Sequence, residues 1–336
     1  MDYVSGEILT NEGINKGYLG FKKGRIIEIG KGRSPKKSIC NGFVIPFFVN
    51  AHTHIGDSFV RKKNIQLPRN VKELVAPPNG LKHRLLREAS NREIITGMRE
   101  SIQLMEQEGI SNFCDFREQG IVGVRQISEA IRNKKISALV LSRPKKLQYD
   151  RDEVELLLKN SQGIGISSIL DWEYSELEKV ARHAKKKGRM FAAHVSERVR
   201  ENIDLILDLK PDFLVHLIYA TDGDLERVRD NNIPVVVCPR ANMFFGIQPN
   251  LKLLKKHHIE MLIGTDNVMV NPPSILNEIK SLKRLSTEIS TLELLHMTTY
   301  RARKALNLDC NILGPDSPAN FIVLDKKSLA TLYKSL

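Results

Sequence analysis

Eight short apolar runs, separated by longer stretches of mixed polarity, constrain this chain more than any other feature. They are VIPFFVNA (44–51), ISNFCDF (110–116), ISALVLS (136–142) and GIGISSI (163–169). The series continues with RMFAAH (189–194), DFLVHL (212–217), IPVVVC (233–238) and EMLIGT (260–265). Each has the length of a strand, and none approaches the roughly 18 apolar residues of a membrane span. Helical patterns lie between or after them, at 92–108, 151–160, 174–187, 198–209, 222–231, 274–285 and 291–306. Strands that alternate with helices at this spacing predict repeated βα units around a parallel sheet. A chain of 336 residues accommodates an eight-stranded α/β barrel of roughly 250 residues.

The two ends read differently. Residues 1–43 hold short strands broken by glycines, GYLGF and GRIIEIG, and the tail NILGPDSPANFIVLD returns to strand texture. The expected organisation is therefore a barrel over 44–308, flanked by segments 1–43 and 309–336 that pair into one small β-domain. The first connection, 55–91, is much longer than the others and contains Pro68, Pro77, Pro78 and Gly80. Long loops on a compact domain are often functional.

A net charge of +13 raises the question of nucleic acid. The lysines, however, fall in short runs such as KKLQ, AKKKG and LKKHH beside helical stretches, without interleaved aromatics or a helix-turn-helix or zinc-finger spacing. A solvated basic surface is expected, one that can still attract an anionic small molecule, and no nucleic-acid partner. Cys40, Cys114, Cys238 and Cys310 lie far apart with no C-x-x-C pair, which suits reduced thiols in a cytoplasm. No signal peptide is visible in MDYVSGEILTNEG, and no membrane segment is expected.

In α/β barrels the active site lies where the strands end, because the following loops face one mouth. The polar residues that end the runs are thus the candidates for chemistry. The first run leads into AHTHIGD, where His52 and His54, two apart in an extended chain, point to the same side with Asp57 just beyond. Run five ends in His194, run six in His216 and run eight in Asp266. Each has an ordinary reading alone. A strand-end histidine is often a satisfied core residue, Asp266 can cap a helix, and Glu197 can open a helix behind Ser196 as N-cap. All of those readings must hold together to exclude a metal site. Imidazoles with one carboxylate suit zinc, and iron or manganese less exclusively.

These residues also carry a family resemblance. H-T-H after an apolar strand, H-V-S-E, a later strand-end histidine and G-T-D-N closely resemble the amidohydrolase superfamily. Within it the chain resembles the branch of cytosine, guanine and adenosine-type deaminases and chlorohydrolase-like aminohydrolases. The likeness extends from GRIIEIG through CPRANMFFG to SPANFIVLD. It implies a distorted (β/α)8 TIM barrel with a small β-sandwich formed by the N- and C-terminal segments. By position it implies that His52, His54, His194 and Asp266 are metal ligands, that Glu197 shuttles protons and that His216 orients the reacting water. Binuclear relatives use a carboxylated lysine on strand four. GIGISSI has no lysine, so one divalent ion is expected, zinc first, with Fe2+ or Mn2+ as alternatives. The H-x-E and P-C-x-x-C zinc site of cytidine deaminases is absent.

The resemblance implies a metal-dependent hydrolase of carbon–nitrogen bonds, an aminohydrolase acting on a nucleobase, nucleoside or related N-heterocycle. The alternative is a cyclic amidase, similar to imidazolonepropionase, that opens a ring C–N bond. A basic binding protein that kept the barrel and lost its chemistry is a third reading, against which the intact ligand set and Glu197 argue. Candidates for substrate contact are Glu118 and Arg240, then Lys82 and His83, with Arg117 and Arg143 also at strand ends. A homo-oligomer is compatible with each reading.

Overall fold

The computed structural model describes residues 1–310 and 312–335. Asn311 and Leu336, both within the expected tail segment, lie outside the described residues. The chain opens with β1 (Asp2–Thr10), β2 (Gly13–Lys22), β3 (Arg25–Lys31) and β4 (Asn41–Pro46). The barrel strands follow: β5 (Phe48–His54), β6 (Ile110–Arg117), β7 (Ser137–Ser142), β8 (Gly163–Ile166) and β9 (Met190–Val195). They continue with β10 (Phe213–His216), β11 (Val235–Val237), β12 (Met261–Ile263) and β13 (Asp266–Asn267), and the chain closes with β14 (Phe321–Leu324) and β15 (Thr331–Lys334).

Both termini share one six-stranded sheet in the order β15-β14-β4-β1-β2-β3. In a flat sheet β2 and β14, three places apart, would be separated by roughly 14 Å. The rings of Phe21 on β2 and Phe321 on β14 nevertheless meet at 5.2 Å. The sheet is therefore folded over on itself, and Val4, Ile8, Leu19, Val44 and Val323 fill the space between its halves with these rings. This is the expected small sandwich, made from one continuous sheet. Its other side, through Leu9, Ile45, Ile322 and Leu324, packs on the barrel.

The barrel strands are all parallel, in the order β12-β11-β10-β9-β8-β7-β6-β5-β13. β12 pairs with β11 and β13 with β5, yet both belong to the one run EMLIGTDN, so the ring closes through it. Between them Gly264 N–H donates to Val237 O (3.1 Å) and Thr265 N–H to His52 O (2.8 Å). A Cβ at Gly264 would lie 2.8 Å from both the Cβ and the carbonyl oxygen of His52, so only glycine allows this approach. Alternate residues face inward, among them Cys114, Phe116, Leu141, Ala192, Val215, Val236 and Leu262.

The structure differs from expectation in four places. The first run does not form one strand. Residues through Pro46 pair with β1 and β14 in the small sheet, so the expected boundary at 43/44 falls inside β4. The helix expected at 198–209 begins only at Ile203, because Ser196 and Glu201 clasp each other across the intervening loop. The helix expected at 291–306 is broken at Thr298 and Thr299, whose hydroxyls turn back onto Leu295 O while Thr298 O accepts the Val49 N–H. The long first connection is ordered, with a 3-10 helix at Ile55–Lys62 and helices at Val71–Val75 and Leu81–Glu88, and its later part covers the mouth as a cap. Among the described residues, no helix is long and apolar enough to cross a membrane.

Candidate active site

Strand parity explains part of the site. Residues 190, 192 and 194 share one side of β9, so His194 continues the inward-facing series of Met190 and Ala192. Glu118 follows Cys114 and Phe116 in the same way, Arg143 follows Leu139 and Leu141, and Asp266 follows Leu262. β5 breaks the rule. Val49 and Ala51 face inward, and simple alternation would send His52 and His54 outward. Along β5 the pairing advances from Asn50 to Thr53 while β6 advances only from Phe113 to Asp115, which leaves one extra residue on β5. Such a bulge reverses the parity and turns both histidines to the mouth. The Asn50 side chain fills it, donating to Thr265 Oγ1 (2.7 Å) and accepting from the Thr265 N–H (3.2 Å).

Three imidazoles converge. His194 Nε2 lies 3.2 Å from His52 Nε2 and 3.2 Å from His54 Nε2. Asp266 Oδ1 lies 3.4 Å from His52 Nε2 and 3.6 Å from His54 Nε2. The Nδ1 protons of two rings are assigned by their acceptors, Ile166 O for His194 (2.7 Å) and Phe116 O (3.1 Å) with Glu118 Oε1 (2.9 Å) for His54. Both Nε2 atoms are then bare lone pairs facing each other. Burial pushes the histidines down, His52 and His194 to about 3 and His54 well below its ordinary value, so protonation does not relieve the repulsion at neutral pH. A divalent cation would, and neutral imidazole plus carboxylate is the donor set that zinc takes. His52, His54, His194 and Asp266 fit such an ion, with donor atoms all within 4.8 Å of one another.

A second trio borders the first. His216 Nε2 lies 3.4 Å from Glu197 Oε1 and 4.0 Å from Asp266 Oδ2, and Asn242 contacts its Nδ1 at 3.3 Å. His216 Nε2 and Asp266 Oδ2 are buried with no hydrogen-bond partner. Buried polar atoms without a partner are uncommon, and these two are free to bind a ligand. The backbone is strained here: Ser196, His216 and Asp266 have φ of 49°, 80° and 56°. Burial, then the neighbouring Asp266 carboxylate, raises the Glu197 pKa. Glu197 lies in the loop after β9, several residues before the helix, so it does not open a helix.

The remaining candidates separate. Lys82, His83, Arg117, Glu118 and Arg143 line the mouth cavity together with Glu197 and Asp266. Lys82 and Glu118 are nonetheless paired with each other, and Arg117 pairs with Glu118 and Asp115. Gly56 makes room for that guanidinium, since a Cβ there would meet it at 2.0 Å. His83 Nε2 is held by Val75 O at 3.0 Å. Arg240 does not line the cavity, contrary to its place among the substrate candidates. Its guanidinium faces Glu278 (3.3 Å), Asn271 (3.2 Å) and Pro272 O (3.1 Å) behind the mouth. Asn50, Asn242 and Asn267 went unrecognised in the sequence. A lone asparagine carries no periodic signal, though Asn267 stood within the G-T-D-N motif itself.

Known proteins resemble this chain over most of its length. An uncharacterised protein of Methanocaldococcus jannaschii is 37% identical over 325 residues, covering 90% of this chain and 81% of that protein. A 5'-deoxyadenosine deaminase of Methanococcoides burtonii is 24% identical, covering 98% of this chain and 85% of that enzyme. Helicobacter pylori aminofutalosine deaminase, solved in complex with methylthio-coformycin, superposes with a TM-score of 0.73 at 16% identity, covering 99% of this chain and 94% of that one. The model of the amidohydrolase family matches residues 43–336, which is most of the sequence, and the chain belongs to that family.

Proposed function

We propose that this protein is a metal-dependent aminohydrolase that releases ammonia from a nucleobase, nucleoside or related N-heterocycle. The observation that carries the reading is the position of Glu197, a mouth-facing carboxyl with a raised pKa, held 3.4 Å from His216 and separate from the cluster of three imidazoles. The 5'-deoxyadenosine deaminase among its relatives supports the substrate class.

His52, His54, His194 and Asp266 would hold the ion, and four free thiols in a reducing cytoplasm are compatible with zinc as first choice. Such an ion, when bound, supplies a Lewis acid and lowers the pKa of water toward neutrality. Asp266 Oδ2, unpartnered, accepts a proton from a water held between it and His216 Nε2. His216 fixes the direction of that water, with its own ring oriented by Asn242. Glu197 keeps its proton near neutral pH and gives it to a ring nitrogen of the substrate, which makes the amino-bearing carbon electrophilic. Left as a carboxylate, it takes the proton of the newly added hydroxyl and passes it to the departing amine, and the proton held by Asp266 restores its acid form.

An ammonia-release screen of purines, pyrimidines, pterins and their nucleosides with zinc-reconstituted protein tests the reading. Ammonia from at least one heterocycle is expected. A new carboxylate without ammonia would identify a ring-opening amidase instead.

A further inference from the structure

Lys82 reaches both sides of the histidine–aspartate cluster without touching it. It is 2% exposed and stands on the cap helix Leu81–Glu88, yet its Nζ pairs with Glu118 and donates to Asn267 Oδ1 at 2.9 Å. Each of these partners binds a different member of the cluster. Glu118 Oε1 accepts from His54 Nδ1 at 2.9 Å, and Asn267 Nδ2 donates to Asp266 Oδ1 at 2.9 Å. The orientation of the amide follows from its neighbours, because the reverse would set an N–H against the ammonium. Glu118 is also gripped by Arg117, which holds Asp115, whose Oδ1 accepts the N–H of Ile55 (2.7 Å), the residue after His54. The three histidines are thus held unequally. His52 Nδ1 has no partner, His194 Nδ1 has a backbone carbonyl, and only His54 has a carboxylate.

We propose that Lys82 is a positioning residue. Delivered by the cap, it clamps His54 and Asp266 in ligating geometry through Glu118 and Asn267. This rests on the metal-site reading above and extends it to a residue from another segment. A carboxylate on Nδ1 fixes the tautomer that leaves Nε2 free and makes that nitrogen a better donor. An ammonium so close would weaken a cation site if left bare. Here Glu118 neutralises it, with Asp57 Oδ2 a further 3.9 Å away. If the cap strengthens the metal site, reciprocity requires that metal strengthen the cap.

The test uses zinc alone and the full chain. Competition with a chromophoric chelator gives the zinc affinity of the wild type, Lys82→Met and Glu118→Gln. Hydrogen exchange of residues 71–88 is followed with and without zinc. Both variants are expected to bind zinc about 10–100-fold more weakly, as loss of partners to ligating histidines does. Zinc should slow exchange in the cap of the wild type and not in Lys82→Met. Glu118→Gln keeps the test open should Lys82→Met fold poorly. Variants that bind zinc as the wild type does, with only KM for substrate raised, would make Lys82 a substrate contact and overturn the positioning role alone. A wild type that takes up no zinc would overturn the metal reading beneath it.

Discussion

On the β5–β6 side of the mouth, Glu118 lies between Lys82 and Arg117, and Asp115 lies between Arg117 and the Ile55 N–H. At the end of β10 and the start of β13, His216 Nε2 and Asp266 Oδ2 are just as buried and have no partner. The Glu118 and Asp115 carboxylates of the first group are each paired within the protein, although Arg117 Nε is not, whereas the facing atoms of the second group have no partner at all. Carboxylates paired on both sides gain rigidity and have little acceptor capacity left to offer a substrate. Unpaired buried atoms are costly in a folded protein unless something else completes them. The difference teaches that charged residues at strand ends divide into those that hold the site and those that react, and that pairing tells them apart.

The largest expected effect breaks the holding side. His52→Ala/His54→Ala should retain no stoichiometric divalent ion after purification without chelator and show no measurable turnover. Metal analysis checks this, and retained metal or two firmly bound ions per chain would contradict it. Asn50→Ala should come next. It removes the clasp that fills the bulge, taking the donor from the Thr265 hydroxyl and leaving the Thr265 N–H with His52 O alone, at a cost of about 0.5–1.5 kcal/mol in denaturant unfolding. Metal affinity should fall with it, since the bulge sets the direction of both histidines.

Arg240→Ala sharpens the contrast from outside the mouth. Metal content and KM should be unchanged, while stability becomes more sensitive to alkali. Burial lifts Glu278 from the ordinary 4.5 to about 8 even with Arg240 beside it. The folded carboxyl thus keeps its proton where the unfolded one has lost it. Its contribution is fully present below the unfolded pKa and is lost as pH rises toward 8. Without the guanidinium the loss should deepen above pH 8, which thermal unfolding against pH measures. A raised KM in this variant would return Arg240 to the substrate site. The smallest expected effect is on nucleic acid. Weak association with duplex or single-stranded probes should collapse with modest salt. Tight sequence-selective binding would show that the basic surface had been misread.

Much of the fold was legible because eight apolar runs and their end residues carry a strong local signal. His194, Asp266 and Glu118 lie where period-two alternation puts them. His52 and His54 were found for a reason that was only half right: they do share one side, but a bulge invisible in the sequence decides that the side is the mouth. Arg240 follows a strand end in sequence yet turns away, because Glu278 from a later helix captures it. The pairing of Lys82 with Glu118 joins residues on separate segments, and no local pattern reports such a contact. The cap was visible only as an unusually long connection with prolines.

The division of the mouth into a holding side and a reacting side is tested most directly at Glu197. Glu197→Gln keeps the shape of the side chain and removes the transferable proton. Positioned acid–base groups contribute about 10²–10⁴-fold to rate. The account predicts a loss of at least about a hundredfold in kcat, with wild-type zinc content and unchanged unfolding. Turnover near the wild-type rate, or loss of zinc along with activity, would contradict it.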